Sequence, residues 1–584
     1  MANPIRIANC SGFFGDRLSA AKEMVEGGPI DVLTGDWLAE LTMLILARTR
    51  MKHPGIGYAR TFVTEMEQVM GSCLDKGIRV VSNAGGLDPD HCAEAVHEVA
   101  QKLGLNPKIA YVRGDDLMPN IDELIAQDQL HHFETGEPIK DPKRFMTANA
   151  YLGCWGIVDA LERGADIVIT GRVTDAAVVC GPAAWHHGWT RSDWDALAGA
   201  VVAGHIIECG TQATGGNYSF FNEVSGMERT GFPWAEIAED GSCVIGKHDG
   251  TGGEVSVGTI TSQLLYEIGG VEYFGPDVTT RFDTIEIEEV APDRVRIHAT
   301  QGEPPPDTLK VCMNRHGGFR NDMRICLTGL DIDAKAELIE KAFWLACPFD
   351  PSDYQQVTTR LIRTNKDDPD SNEEAIAIWH LSVKDADEKK VGRAFANAMT
   401  ELALATIPGY FGIGGPAAGR PFGIYEPARV PAKAVPQEVV FIDGDARQID
   451  SVIPPGNVTI VPAKGPSVAL PICATKRLPI GRILGARSGD KGGNANLGVF
   501  ARSDEAWAWL DDFLTTERLR TLLPEVAQFK VDRTRLPALR SLNFVIHGIL
   551  EEGVAAATRQ DGQAKSLGEW LRARVVDVPE VLIP

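Results

Sequence analysis

What this 584-residue chain lacks narrows its nature first. Its 11 cysteines are scattered, odd in number and nowhere spaced Cys-x-x-Cys. That argues against a thiolate zinc site of the structural kind and for reduced thiols in a reducing compartment. No apolar run approaches the ~20 residues that span a bilayer. The N-terminus runs almost directly into a strand-like Ile5-Arg6-Ile7-Ala8, without a secretory signal pattern. A cytoplasmic location away from any membrane is therefore expected. Basic residues are the minority sign, 57 against 80 acidic, for a formal charge of −23. Nucleic-acid binding needs a basic footprint, so no nucleic-acid partner is expected. A local basic pocket can still hold an anionic ligand. There is no G-x-S-x-G nucleophile elbow, no H-E-x-x-H zinc helix and no solenoid repeat.

What is present is ordinary globular composition, 44% hydrophobic and 23% charged. The first third repeats one pattern: a short β-branched run, a Gly- or Asp-rich turn, then a helical stretch. The runs fall at 5–8, 31–33, 79–81, 109–112 and 166–169, with a helix expected from about Pro89 to Leu103. Such alternation reads as βαβ units and a mostly parallel sheet. Ligands of such sheets bind outside the carboxyl ends of the strands, and the special residues cluster in those turns. Residues 205–330 turn to Gly, Thr and aromatics, with hairpin-like runs at 255–259 and 294–298; 334–345 and 391–405 read as helical. From 428 to 475 the chain is extended, packing onto the main domain or adding strands to it. The tail shows strands at 480–486, 496–501, 526–531 and 542–549 and helices through Trp507 and at 566–574, the order of a small α+β, ferredoxin-like fold. The expected domains are an α/β domain over 1–450, an extended linker over 451–475 and an α+β domain over 476–584.

Gly12-x-x-Gly15-Asp16 joins the first strand and helix; it either lets a ligand approach the backbone or is a tight turn with Asp16 as helix cap. Asn83-Ala84-Gly85-Gly86 has the same placement, and its amide could donate to a carbonyl. Asp36 and Asp115 also follow strands, where paired carboxylates near a ligand could serve proton transfer; helix capping is the cheaper reading of Asp36 and a surface turn that of Asp116. In Gly171-Arg172-Val173-Thr174-Asp175 the guanidinium suits a carboxylate or phosphate, with Asp175 holding it or capping the next helix; a purely structural pair is the alternative. Glu208 follows apolar Ile206 and Ile207 and opens a loop with Gly215, Gly216 and Asn217. A buried carboxyl there would have a raised pKa, fit for acid–base work, or be a core glutamate paired with an arginine. The run 241–248 nearly spells a phosphate loop, but His248 replaces the hydroxyl residue and 243–245 reads as strand; Lys247 could still reach an anion. In the tail, 487–494 places Arg487, Asp490 and Lys491 in a glycine turn. His205 and Glu208, three apart, are weak metal evidence, and Cys10 lacks a base partner; no metal site is expected.

The segments 11–17, 34–40, 82–86, 170–175, 208–217 and 250–255 resemble the acyclic terpene utilisation AtuA family over about residues 3–450. The segments 487–494 and 543–548 resemble the ferredoxin-like domain that often follows it. The resemblance implies bacterial catabolism of acyclic terpenes through CoA thioesters, but no particular reaction. The expectation is an enzyme of hydratase or lyase type on a small acyl or acyl-CoA substrate, as a homo-oligomer. Arg172 would bind the anion, and Glu208 or Asp36 would move the proton. No cofactor is identified beyond a CoA thioester as substrate. A non-catalytic ligand-binding subunit or scaffold, and a metal- or nucleotide-dependent enzyme of unfamiliar motif, are the alternatives.

Overall fold

The computed structural model describes residues 3–415 and 417–583. They form two compact units: 3–314 with 425–554 and 563–583, and 315–415 and 417–424 with 555–562.

The first unit is built on an eleven-stranded sheet. Its centre is five parallel strands in the order Ile5–Asn9, Val32–Gly35, Arg79–Ser82, Ile167–Thr170, Ile109–Arg113. Short apolar strands separated by amphipathic helices such as Arg60–Lys76 and Pro89–Leu103 leave this outcome, because a parallel partner requires a crossover. The expectation of a mostly parallel sheet is corrected at both flanks. On one side Pro233–Ile237, Cys243–Lys247, Arg294–His298 and Glu286–Ala291 run antiparallel. On the other, Gln437–Phe441 and Ala446–Ile449 do the same. Short connections, such as the five residues between Ile237 and Cys243, permit only a hairpin. The hairpin-like run 255–259 is also corrected: Val257–Leu264 is a helix, because Ser256 and Thr259 close a reciprocal capping box that outweighs the β-branched composition.

Within the same unit, Leu484–Lys491, Asn494–Ala501, Ser541–Ile546 and Val531–Leu536 form a four-stranded antiparallel sheet in that order. Helices Asp504–Phe513 and Leu567–Arg572 pack on it around a core of its own. The polar segment expected as a turn is corrected: Arg487 to Lys491 are strand, and only Gly492 and Gly493 turn, Gly492 at φ +62°. Residues 480–482 are a 3-10 turn rather than strand. This small sheet presses on the end of helix Val257–Leu264. Side chains at Gly489 and Gly498 would come within 2.3 Å of the Tyr266 ring and 2.5 Å of Leu265.

The second unit holds the antiparallel strands Gln356–Ile362, Ile376–Asp385 and the far half of Thr308–Thr328. One face of this sheet is covered by helices Ile332–Ala346 and Arg393–Glu401 around Trp379, Phe343 and Phe395.

Candidate functional site

Because the five central strands are parallel, the turns after them lie on one rim, which carries Ser11, Asp36, Asn83, Asp115 and Arg172. Asp36 caps no helix. Its Oδ1 accepts from Leu38 N–H (3.0 Å) and from the Asn83 amide, while Asn83 Oδ1 accepts from Trp37 N–H (2.9 Å). Asn83 thus orients Asp36. Burial pushes the Asp36 carboxyl up, with Asp175 and Glu208 adding to the effect. Asp115 accepts from Arg172 N–H (2.9 Å) and the Asn149 amide (2.7 Å), which pins the loop that carries Arg172; burial raises its carboxyl to about 7. Asp16 accepts from Gly12 N–H (2.9 Å) and Arg17 N–H (2.8 Å), closing its own turn rather than capping the following helix, which begins at Ala20. Gly12 is there for a close approach: a Cβ would sit 2.5 Å from the Cys209 carbonyl carbon. Gly85 packs likewise on the Thr170 carbonyl oxygen, and Gly86 takes φ +55°.

Arg172 is buried. Its Nη1 donates to Asp175 Oδ1 (2.7 Å) and Val173 O (3.1 Å), its plane lies 4.1 Å from the Tyr151 ring centre, and its Nε meets no acceptor. Lys310 stands 4.8 Å from the same ring and 3.7 Å from Glu40, which also accepts from Tyr151 O–H (3.3 Å). Burial alone would raise the Glu40 carboxyl, but Lys310 and Arg172 outweigh it and hold Glu40 below the usual value.

Glu208 ends helix Trp194–Ile207, buried, with Oε2 unpaired and Oε1 3.3 Å from His205 Nδ1, outside hydrogen-bond geometry. Burial raises its carboxyl well above the usual range, and Asp175 and Glu267 push the same way. Burial also lowers His205 to about 4, so the ring is neutral at pH 7. Glu267 holds a left-handed φ of +60°, unusual for a side chain of its kind; Asn496 Oδ1 accepts from its N–H at 2.8 Å and fixes that conformation. The small sheet supplies Arg487, which donates to Gln212 and lies 4.2 Å from the Tyr266 ring. Lys565 lies 4.5 Å from the same ring and donates to its hydroxyl. Asp490 is raised to about 7 by burial and by Glu267. Lys491 donates to Glu267 O (3.0 Å), and desolvation together with the charge of Lys310 lowers it to about 8.

The structure therefore brings together Asp36, Asn83, Asp115, Arg172, Asp175, Glu208, Arg487, Asp490 and Lys491 in one polar region. Lys247 is instead engaged by Asp293 (3.0 Å) and Thr251 O (2.8 Å). Gly215 and Asn217 hold φ of +110° and +59°, and Gly216 packs on Thr211, so these three shape the loop after Glu208. Gly15 packs against the Phe13 ring. Sequence reasoning missed Glu40, Tyr151, Lys310, Glu267 and Lys565, which come from outside the strand-end turns. Burial holds Cys10 and Cys209 as thiols. Among the described residues, the trio of His, Cys, Asp or Glu close enough to share a cation is Asp88, Asp90 and His91, not the rim acids. No helix among them is long and apolar enough to cross a membrane.

Residues 5–441 match the family model of the acyclic terpene utilisation family protein AtuA, and residues 478–577 match the AtuA ferredoxin-like domain. No curated protein and no solved structure matches the chain. The chain belongs to the acyclic terpene utilisation AtuA family.

Proposed function

We propose that this AtuA-family protein is a catabolic enzyme that adds water to, or eliminates it from, an acyl or acyl-CoA substrate of the branched, terpene-derived kind. The observation that carries this reading is the geometry at Glu40 and Glu208: Glu40 lies 3.7 Å from Lys310 and accepts from Tyr151, which holds its carboxyl low, while Glu208 is buried with Oε2 unpaired, which pushes its carboxyl up. Environments that split two carboxyls in this way assign an acid and a base. Glu208, kept protonated by burial, is suited to give a proton to the α carbon. Glu40, kept ionised by Lys310, is suited to take one from the attacking water. Arg172, with its Nε unused, and Lys310 supply positive charge where an enolate or carboxylate oxygen would develop it. Asp36 stands beside Arg172 and shares its field.

The test is incubation with branched 2-enoyl-CoA and 3-hydroxyacyl-CoA thioesters, and with the free acids, in deuterated water, followed by mass spectrometry. Gain or loss of one water with deuterium at the α carbon is expected, abolished in Glu208→Gln and Arg172→Ala proteins that still fold. Full activity in both variants overturns the assignment. Ligand-induced stabilisation without any mass change turns it into a binding subunit.

A further inference from the structure

We propose that the second unit contains a separate anion site for a phosphate-bearing small molecule. A cavity of about 540 Å³ opens there, walled by strand Thr308–Thr328, by Ile413 to Gly415 and by the segment Ala555–Gly562. That volume falls within the range of roughly 300–1,000 Å³ of small-molecule sites. Side chains alternate along a strand, so Arg320, Asp322 and Arg324 share one face, while Met323, Ile325 and Leu327 point into the core on the other. Arg420 and Arg559 line the same space. Even with Arg559 set aside, the guanidinium groups of Arg320, Arg324 and Arg420 face the one carboxylate of Asp322, a local positive excess in a chain whose formal charge is −23. A surface evolved only for solubility has no reason to collect them.

The cations differ in how far the fold has used them. Arg320 donates to Ala557 O (2.9 Å), with its Nε 3.3 Å from Asp322. Arg324 and Arg420 donate side-chain hydrogen bonds to no group among the described residues. Directly across the strand pair from Arg324 lies His380, 2% exposed, with neither ring nitrogen hydrogen-bonded; Nε2 is 3.5 Å from Asp322 Oδ1 and misaligned. A buried ring whose only polar neighbour is a misaligned carboxylate is costly unless a ligand or water completes it. Gly414, at φ +82°, and Gly415 have nothing within 4 Å of where a side chain would stand, so bare backbone faces the cavity. Forked guanidinium groups and open backbone suit the oxygens of phosphate, whose multiple negative charge answers the two guanidinium groups of Arg324 and Arg420 beside the Arg320–Asp322 pair. This inference is independent of the reaction proposed for the first unit.

The experiment is calorimetric titration of the full chain with pyrophosphate, ADP, adenosine 3′,5′-bisphosphate and CoA, with citrate as a non-phosphate polyanion. Arg324→Gln and Arg420→Gln are the variants, chosen because neither side chain holds a hydrogen-bond partner among the described residues; unchanged melting of the free variants verifies that the fold does not depend on them. At least one phosphate compound should bind one-to-one, weaken as salt rises, and lose about tenfold or more in affinity in each variant. The compound that binds best separates a bare phosphate site from one that also takes a nucleoside. Failure of all four to bind, affinity unchanged in both variants, or citrate binding as well as the best phosphate compound would each overturn the proposal. CoA binding that ignores both variants counts against this site whatever it says of the first unit.

Discussion

His205 Nδ1 lies 3.3 Å from Glu208 Oε1, yet burial keeps the imidazole neutral and the carboxyl protonated. The contact is between two uncharged groups, each poised to change state when a substrate charge arrives.

His205 makes the fold acid-sensitive. Its folded pKa of about 4 lies below the ordinary 6.5, so the unfolded chain binds more protons between those values and stability falls as pH drops from about 6.5 to 4. In His205→Gln that loss should disappear, and the melting temperatures of variant and wild type should converge, or cross, as pH falls through this window.

Glu208 acts in the opposite sense. A carboxyl raised in the fold contributes stability that is complete at low pH and is lost as pH rises toward its folded value. Glu208→Gln mimics the neutral form, so its melting temperature should gain on wild type between pH 5 and 8. A constant difference across that range would mean that Glu208 is ionised in the fold.

Asp490, raised to about 7, repeats that sign in the small domain. Asp490→Asn should flatten the decline of wild-type melting temperature between about pH 4 and 7, with little change at pH 4. Melting curves at half-unit pH steps decide it.

Arg172→Ala removes the partner of Asp175 and the cation over Tyr151. Asp175 is partly exposed, so the stability loss should be about 1–3 kcal/mol rather than that of a fully buried pair. Arg172→Lys should restore much of the stability but not turnover, because an ammonium lacks the planar fork; denaturant titration and turnover measured together separate the two effects.

Gly12→Ala tests the close approach to Cys209. A Cβ at 2.5 Å from backbone carbon has no flexible neighbour to displace, and a loss of about 1–3 kcal/mol is expected by chemical denaturation.

Much of the rim was legible in the sequence, because a βαβ pattern fixes which turns gather at one end of the parallel strands. Asp36, Asn83, Asp115 and Arg172 announce themselves as polar residues just past β-branched runs. Glu40 and Lys310 do not: one opens a helix and the other begins a 21-residue strand, and only folding brings them to Tyr151. Glu267 looks like an ordinary loop acid, since its left-handed backbone depends on Asn496, 229 residues away. The antiparallel flanks were missed for the opposite reason. Short strands read alike in either direction, and connection length rather than composition decides the pairing. Lys247 carried a motif-like context but is committed to Asp293.

The grip of the small sheet on the loop at Glu267 has a genetic consequence. Arg487, Asp490 and Lys491 reach the same polar region as residues that precede them by more than 400 positions, such as Asp36 and Glu40. Were the two family modules encoded as separate polypeptides, neither would carry all of this polar region. Each would have to find the other by re-forming the Asn496 and Asn543 bonds to residues 267 and 268. Mutations on either side of that seam are then coupled, because a change at Asn496 or Asn543 alters how the loop at residues 267 and 268 is held.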